Sequence, residues 1–599
     1  MSLFRPQRFL WCLLALLALP VAAGAAPIKY SLSVFHFNIE YVIGGLYGFL
    51  PFDLNYPGWE IGPDEAEDMI IVESFAPVLD LLDKHPEWTL TLEMQAYFVE
   101  VLAERHPDTL DQLRDLVDSG NVELVSFHYA DQLFIAYPYE DWQRSNDRTQ
   151  AVMEEHGLTL SPVVFCQEGQ GAEGMARRME ESGYEIMAWP VNLWKVQHGE
   201  WDPAPYYNFG DVLLVTASRD VNDSVNDVYT KWNFLNDGEL MATGDWDPYF
   251  PWFFRYREEA VAEYEAKLLG HEADDYIIGG IGEYVDALID AGIQPADPPP
   301  LLDGTWQPDS TRGTSRWLGY RGLWGKDERD NHVRSFAYIA HKELKAAETI
   351  AAAAGLDREA ELDEAWRNAH RSQVSDGSGI NPYRGEVEFC IASAAEAIRV
   401  AADIIAEAKE VLGEEHVLID TGSGNVTAGE YHAPGELATA GPFDLAIDAP
   451  ARGYETRWYK VSESPTTWRL QIDFSRGDFA FARRTFVRFP GTGDEIKTTT
   501  ALIDDEIQTY SRSDFVFDWW FLPGPIGLIG LGDGWWVIKD TSTVHVAAEI
   551  TSADSDVTFE DMSVPYFESA TWVFYVLEGS DDEALNLADR INVHPTLAR

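Results

Sequence analysis

Cysteine and basic residues are both scarce in this chain of 599 residues. It has three cysteines, and its 43 lysines and arginines face 101 aspartates and glutamates, which gives a formal net charge of −58. Three cysteines cannot form a disulfide framework, so we expect buried thiols at Cys166 and Cys390. So acidic a surface repels the phosphates of nucleic acids and of anionic membranes, which excludes nucleic acid as a partner. Neutral ligands are compatible with it.

Long apolar runs are also lacking, with one exception near the first residue. Arg5 and Arg8 precede an apolar run over residues 9–19, and small residues follow at positions 21–26. This three-part layout is typical of a secretory signal peptide, which we assign to residues 1–26. No later stretch is apolar over a bilayer's width, so we expect no membrane span. We expect an exported protein of a bacterial periplasm or exterior, with a retained N-terminal anchor as the alternative.

Residues 27–297 alternate between short apolar strand patterns and helical patterns. Such alternation is typical of βαβ units around a parallel sheet, and about seven strands favour a (β/α) barrel. The predicted strands cover residues 30–41, 88–94, 122–131, 161–168, 186–190, 212–216 and 239–247. Most of them end in a polar or acidic residue. Because a barrel presents catalytic side chains at the carboxyl ends of its strands, these ends predict one shared active-site face.

The composition changes after residue 297. A linker and loop region covers residues 298–330, and helical patterns over 331–413 predict a bundle of three antiparallel helices. Short strands and turns over 414–599 predict a β-sandwich. Two tryptophan pairs lie there, at 519–520 and 535–536, and we favour a core role for them over stacking on a ligand. The predicted fold class is α/β, with a seven-stranded barrel, a three-helix bundle and a β-sandwich in that order.

Glu168 is the leading catalytic candidate. It follows an apolar strand pattern and precedes glycines and a helical segment, so it falls where a barrel presents a reactive carboxylate. Its alternative role is a helix cap, because exposed amides stabilise an acid near a helix N-terminus. A second acid is expected at the end of the last strand. There we prefer Asp245, while Asp247, two residues further on, can face the same way.

Further polar and aromatic side chains are candidates for ligand binding. His36 and Asn38 lie two residues apart on an extended segment, so both can face one cavity. His128 and Asp131 end the third strand pattern. The alternatives are structural, since either histidine can be a satisfied core group, Asp131 can cap a helix, and Glu93 can be a buried ion-pair partner. The aromatic candidates for stacking on an apolar ring face are Trp189, Trp194 and Trp246.

The order of the predicted regions and several motifs resemble glycoside hydrolase family 38, the α-mannosidases, and the related family 57 of α-glucan-active enzymes. The motifs are His36-Phe37-Asn38, residues 120–124 with His128, residues 165–171 around Glu168, Gly244-Asp245 with Asp247, and residues 365–368 and 373–379 in the bundle. The resemblance implies cleavage of α-glycosidic bonds in an oligo- or polysaccharide, with retention of configuration. It places the nucleophile at Glu168 and the general acid/base at Asp245 or Asp247.

The resemblance also bears on a metal. Family 38 binds a divalent metal through the His and Asp of its first motif, the nucleophile, and a His of the bundle. The corresponding positions here are His36, Asn38, Glu168 and Ser375. An amide and a hydroxyl are poor zinc ligands, so we expect a metal-free site without a cofactor. A divalent metal at His36 and Glu168 is the alternative.

Two other functions stay open from the sequence. The first is a non-catalytic carbohydrate-binding or surface protein built on the same barrel. The second is a carbohydrate deacetylase, which we disfavour because its metal needs two histidines spaced His-x-x-x-His, and the chain has no such pair.

Overall fold

The computed structural model describes residues 26–37, 39, 63–165, 169–190, 192–199, 204–217, 220–236, 260–305, 330–378, 384–429, 435–449, 452–476, 485–543, 548–561 and 569–599. Five predicted site residues lie outside these ranges: Asn38, Glu168, Asp245, Trp246 and Asp247. Residues 1–25 of the predicted signal peptide lie outside them as well. Within the described part, the chain is a mixed α/β protein with several sheets.

Parallel strands dominate the first half of the chain. The strands are β1 (Ile28–Phe37), β2 (Leu90–Met94), β3 (Val122–Val125), β4 (Val163–Phe165), β5 (Ile186–Pro190), β6 (Tyr207–Phe209), β7 (Val212–Ala217), β8 (Asp220–Asp223), β9 (Val228–Asn236) and β10 (Ile277–Gly279). One sheet has the order β3-β2-β1-β9-β8, and β10 also pairs with β1. A second sheet has the order β4-β5-β7-β6. Pairing is parallel except between β6 and β7 and between β8 and β9.

Helices cover these strands. They are α1 (Pro63–Ile70), which continues through a π-helical turn at Ile71–Phe75, α2 (Ala76–Lys84), α3 (Ala96–Arg105), α4 (Pro107–Ser119), α5 (Tyr139–Glu155), α6 (Met175–Glu181), α7 (Asn192–His198), α8 (Ala260–Ala273) and α9 (Ile281–Asp290). Alternate residues of β1 enter two cores: Phe35 and Phe37 pack in one, and Leu32 and Val34 pack in another. Burial on both faces explains why β1 carries apolar residues on both of its faces.

The sequence also predicts that the parallel strands close into a barrel. The described strands form two sheets, and a backbone hydrogen bond from Ser161 N to Leu124 O (2.8 Å) links the segment before β4 to β3. The last predicted strand, over residues 239–247, lies outside the described residues. The mixed α/β class is therefore confirmed, and the seven-stranded barrel stays a prediction.

Three long helices follow: α10 (Asp330–Ala354), α11 (Glu359–Arg371) and α12 (Arg384–Leu412). They share an alanine-rich core that includes Ala347, Trp366 and Ala397. Small side chains let helix backbones approach closely, which suits the high alanine content of α12. None of the helices within the described residues is both long and apolar enough to cross a membrane. The domain boundaries taken from the sequence stay predictions.

The last third of the chain is mainly antiparallel β-structure. Its elements are β11 (Val417–Asp420), β12 (Asn425–Ala428), β13 (Glu436–Ala438), β14 (Ala446–Asp448), β15 (Tyr454–Glu463), β16 (Thr466–Phe474), β17 (Thr485–Phe489), β18 (Glu495–Thr500), β19 (Ile503–Ser511), β20 (Trp520–Leu522), β21 (Leu528–Gly532), β22 (Trp535–Lys539), β23 (Ala548–Ile550), β24 (Val557–Asp561), β25 (Ala570–Glu578), α13 (Asp581–Asn592) and β26 (Thr596–Ala598). A sheet of order β13-β15-β16-β25-β22-β21-β18-β19 and a sheet of order β14-β17-β24-β23-β20 supply side chains to one core. Trp520 and Trp536 are buried, as predicted for core residues.

Candidate active site

Four polar side chains meet where β1, β2 and β3 end. We call His36, Glu93, His128 and Asp131 the strand-end cluster. His36 and Glu93 are paired in the parallel register of β1 and β2, and Glu93 is paired with Val125 of β3. Because carboxyl ends of neighbouring parallel strands lie together, three of the predicted ligand-binding positions and Glu93 converge on one point.

The contacts within the cluster are close. His36 Nδ1 and Glu93 Oε2 form a hydrogen bond, and His36 Nε2 lies 3.6 Å from Asp131 Oδ2. His128 Nε2 lies 3.6 Å from both Glu93 Oε1 and Asp131 Oδ1. The side chains of Glu93 and Asp131 are fully buried, whereas that of His36 is 17% exposed. His36 is therefore the member of the cluster that solvent or a ligand reaches.

Burial governs the protonation of the cluster. It raises the pKa of Glu93 well above the ordinary value of a glutamate. It also lowers the pKa of His128 to about 3, with a smaller contribution from the nearby His36. His128 is consequently neutral at pH 7 and offers a ring nitrogen lone pair to a partner.

The three-helix region forms one wall of this site. Ser375 N donates to Asp131 O (2.7 Å), and Leu133 N donates to Gln373 O (2.9 Å). Gln132 Nε2 also donates to Gln373 Oε1 at 2.6 Å. The turn after α11, which the motifs had matched to the metal-ligand segment of family 38, thus lies directly against the loop that carries Asp131.

The segment after Glu168 lies against the same loop. Gln170 Nε2 donates to Gln132 O (3.0 Å), and Gln170 Oε1 accepts a bond from Ile135 N. Gly169 has a φ of 53°, a left-handed conformation that glycine adopts without strain. A Cβ on Gly171 would lie 2.8 Å from Leu193 Cδ1, so close packing also favours glycine there. The predicted strand-to-helix turn is thereby confirmed on its described side.

Two of the predicted aromatic binding residues, Trp189 and Trp194, are buried. Trp189 and Trp194 are fully buried, with ring centroids 5.6 Å apart, and Trp189 also packs edge-on against Phe209 at 4.9 Å. Trp194 Nε1 donates to Pro299 O (3.1 Å). Both rings have their faces covered by protein, which favours a core role, and their stacking on a sugar stays a prediction.

Glu123, part of the third-strand motif, serves a structural purpose. Its Oε2 accepts bonds from Ile281 N (2.8 Å) and Thr91 Oγ1 (2.6 Å), and its Oε1 accepts one from Gly282 N (2.8 Å). It therefore caps the N-terminus of α9, where a carboxylate satisfies free amides. Burial raises its pKa, and these hydrogen bonds partly oppose that effect.

Glu93 is the site residue that the sequence did not reveal. Its position at the end of a strand pattern was visible, but a buried ion-pair partner has the same local pattern. Only the register between β1 and β2 brings it to His36, 57 residues earlier.

Comparisons with known proteins support this interpretation of the region. Residues 69–188, which include Glu93, His128 and Asp131, match the family described as Glycosyl hydrolase family 57. An alpha-amylase of Pyrococcus abyssi is 32% identical over 69 residues, or 12% of this chain and 10% of that protein. An alpha-amylase of Pyrococcus horikoshii is 29% identical over 125 residues, or 19% of this chain and 18% of that protein. The chain thus matches less than a fifth of the length of these curated relatives.

A solved structure covers far more of the chain. An alpha-mannosidase from Enterococcus faecalis V583 is similar over 95% of this chain and 90% of its own, with a TM-score of 0.58 and 10% sequence identity. Structural similarity at a sequence identity of 10% shows a shared fold and no more. Together the matches support the resemblance: the chain shares the fold of that alpha-mannosidase, and its residues 69–188 match the family 57 model.

Proposed function

We propose that the protein is a glycoside hydrolase that cleaves α-glycosidic bonds in oligo- or polysaccharides. The observation that carries the proposal is the convergence of His36, Glu93 and Asp131 at the ends of neighbouring parallel strands, two of them within the family 57 match. Buried polar groups around one reachable side chain suit the binding of sugar hydroxyls. The relatives' alpha-amylase and alpha-mannosidase names support α-linked substrates.

The proposed chemistry uses two carboxylates. Glu168 attacks the anomeric carbon while Asp245 protonates the leaving glycosidic oxygen, and water then releases the sugar with retained configuration. Asp247 is the alternative acid/base. The bond from Gln170 to Gln132 supports the nucleophile assignment, because it holds the segment after Glu168 beside the loop of Asp131.

Two further parts of the proposal concern the whole chain. We propose that it is exported after removal of residues 1–26, on the strength of the N-terminal apolar run. The parallel strands close into a seven-stranded barrel around the site, which would place the acid at the end of the last strand opposite Glu168.

The first experiment measures hydrolysis of aryl α-glycosides and α-glucans by the protein lacking residues 1–26, beside its Glu168→Gln variant. We expect Glu168→Gln to lower kcat by at least about 10³-fold, since a nucleophile is removed. Glu180→Gln is the matched control, because Glu180 is exposed on α6. Equal activity of the Glu168→Gln and Glu180→Gln proteins would refute the nucleophile assignment, and NMR of the first-formed anomer decides retention.

Asp245→Asn and Asp247→Asn separate the two acid/base candidates. A variant that lacks the general acid should retain more activity on substrates with an activated aryl leaving group than on glucans, because such a leaving group needs no protonation. We expect this pattern for Asp245→Asn. The same pattern in Asp247→Asn alone would reverse the assignment. Sugar binding without turnover on any substrate would instead favour a non-catalytic carbohydrate-binding protein.

A further inference from the structure

The strand-end cluster has the composition of a metal site. One donor atom from each of His36, Glu93 and Asp131 lies within 4.8 Å of the other two. The three residues come from β1, β2 and the loop after β3. Their mutual positions are therefore fixed by the sheet register and do not depend on a single flexible segment.

A second, independent observation comes from His128. Its side chain is 1% exposed, and neither ring nitrogen makes a hydrogen bond of normal distance and angle among the described residues. Its Nε2 lies 3.6 Å from a carboxylate oxygen of Glu93, and that oxygen is also buried without a hydrogen bond. A buried imidazole and a buried carboxylate oxygen therefore face each other at a distance too long for a hydrogen bond.

That distance suits two ligands of one ion. Zinc binds nitrogen and oxygen ligands at about 2.1 Å, which places two ligands of a tetrahedral ion about 3.4 Å apart. The separations from His128 Nε2 to Glu93 Oε1 and Asp131 Oδ1, and from His36 Nε2 to Asp131 Oδ2, are each 3.6 Å. Small side-chain movements would bring these atoms onto a common ion.

Charge also favours a cation at this place. Glu93 is fully buried, and within the described residues its ion-pair contacts are to histidines and include no lysine or arginine. Another histidine with two carboxylates offers a contrast. His594 lies near Glu140 and Asp589, but there Lys345 Nζ donates to both oxygens of Glu140 and supplies the positive charge.

We propose that His36, Glu93 and Asp131 bind one divalent transition-metal ion of the zinc type, with His128 as the nearest fourth donor. Mixed imidazole and carboxylate ligands favour zinc over calcium or magnesium, which prefer oxygen ligands alone. His36 is the one residue that this set shares with the positions matched to the family 38 ligands, since the other matched positions are Asn38, Glu168 and Ser375. It replaces the expectation of a metal-free site, because Glu93 and Asp131 supply the carboxylate ligands that Asn38 and Ser375 lack.

Metal binding by the purified protein lacking residues 1–26 tests the proposal without reference to turnover. After treatment with a chelator, the protein is titrated with Zn²⁺ by calorimetry, and bound metal per chain is measured by mass spectrometry. We expect one Zn²⁺ per chain. Glu93→Gln, Asp131→Asn and His36→Asn should each weaken binding at least about 100-fold, since each removes a ligand. His594→Asn is the matched control and should bind as the unaltered protein does.

The result stays decisive if a carboxylate variant fails to fold. His36 is partly exposed, so His36→Asn is the mildest of the three substitutions, and circular dichroism verifies its fold. Co²⁺ in the unaltered protein should also give the intense visible bands of four-coordinate cobalt. Absence of Zn²⁺ binding at micromolar concentration, unchanged affinity in the ligand variants, or preferential binding of Ca²⁺ would each overturn the proposal. A protein that binds zinc and hydrolyses nothing would retain this inference and refute only the proposed function.

Discussion

The cap that Glu123 forms on α9 can be tested by Glu123→Gln. The substitution replaces one acceptor oxygen with an amide donor, so one backbone amide, that of Ile281 or Gly282, loses its partner whichever way the side chain turns. A hydrogen bond to a charged group contributes about 1.5–3 kcal/mol, and the favourable interaction of a negative charge with the helix N-terminus adds a few tenths. We therefore expect a loss of about 2 kcal/mol at this end of α9.

Hydrogen exchange is the suitable assay because the effect is local. A loss of about 2 kcal/mol corresponds to roughly 30-fold faster exchange of the amides in the first turn of α9, measured by mass spectrometry of peptides that cover residues 281–290. Glu180→Gln, at an exposed position of α6, should leave that exchange unchanged. Since the described hydrogen bonds of Glu123 go to Thr91, Ile281 and Gly282 and none goes to the strand-end cluster, turnover at a temperature where the variant is folded should also be unchanged. Normal exchange in α9 with abolished turnover would refute the structural role and return Glu123 to the active site.

Three further predictions concern burial. Burial raises the pKa of Asp303 to about 7, so the folded state binds a proton that the unfolded state releases, and the free energy of unfolding should fall as pH rises from about 4 to 7. Asp303→Asn should reduce this fall by up to about 4 kcal/mol, measured by urea unfolding at pH 5 and pH 8. Trp189→Ala should cost about 3–5 kcal/mol in thermal unfolding, whereas a change in KM at unaltered stability would restore its stacking role. Gln373→Ala should lower the free energy of unfolding by about 1–3 kcal/mol and should lower kcat/KM, because Gln132 and Asp141 each lose a buried hydrogen bond. An unaffected kcat/KM would show that the contact with the three-helix region does not order the site.

The sequence predicted what short segments determine by themselves. β1 carries apolar residues on both of its faces because both faces are buried, and the polar residues near the ends of β1 and β2 marked His36 and the neighbourhood of Glu93. The glycines after Glu168 predicted a tight turn, and Gly169 adopts the left-handed conformation that such a turn requires.

The remaining features depend on distant contacts that no local pattern encodes. A tryptophan at a strand end has the same sequence pattern whether it faces a ligand or the core. The packing of Trp194 and Phe209 around Trp189 shows that its ring is buried. Glu93 became a site residue through strand register. Glu123 matched a motif and yet caps a helix more than 150 residues later in the chain.

The contact between Gln132 and Gln373 has a consequence for folding. These residues are 241 positions apart, so the loop of Asp131 acquires its hydrogen-bonded wall only when α11 and the turn after it dock on the parallel sheet. Contacts of such long sequence separation form late, because the chain entropy lost on closing the intervening loop precedes any gain. During synthesis the parallel strands can therefore pair well before the site exists, and binding competence should appear only after about 380 residues have left the ribosome and the helices have docked.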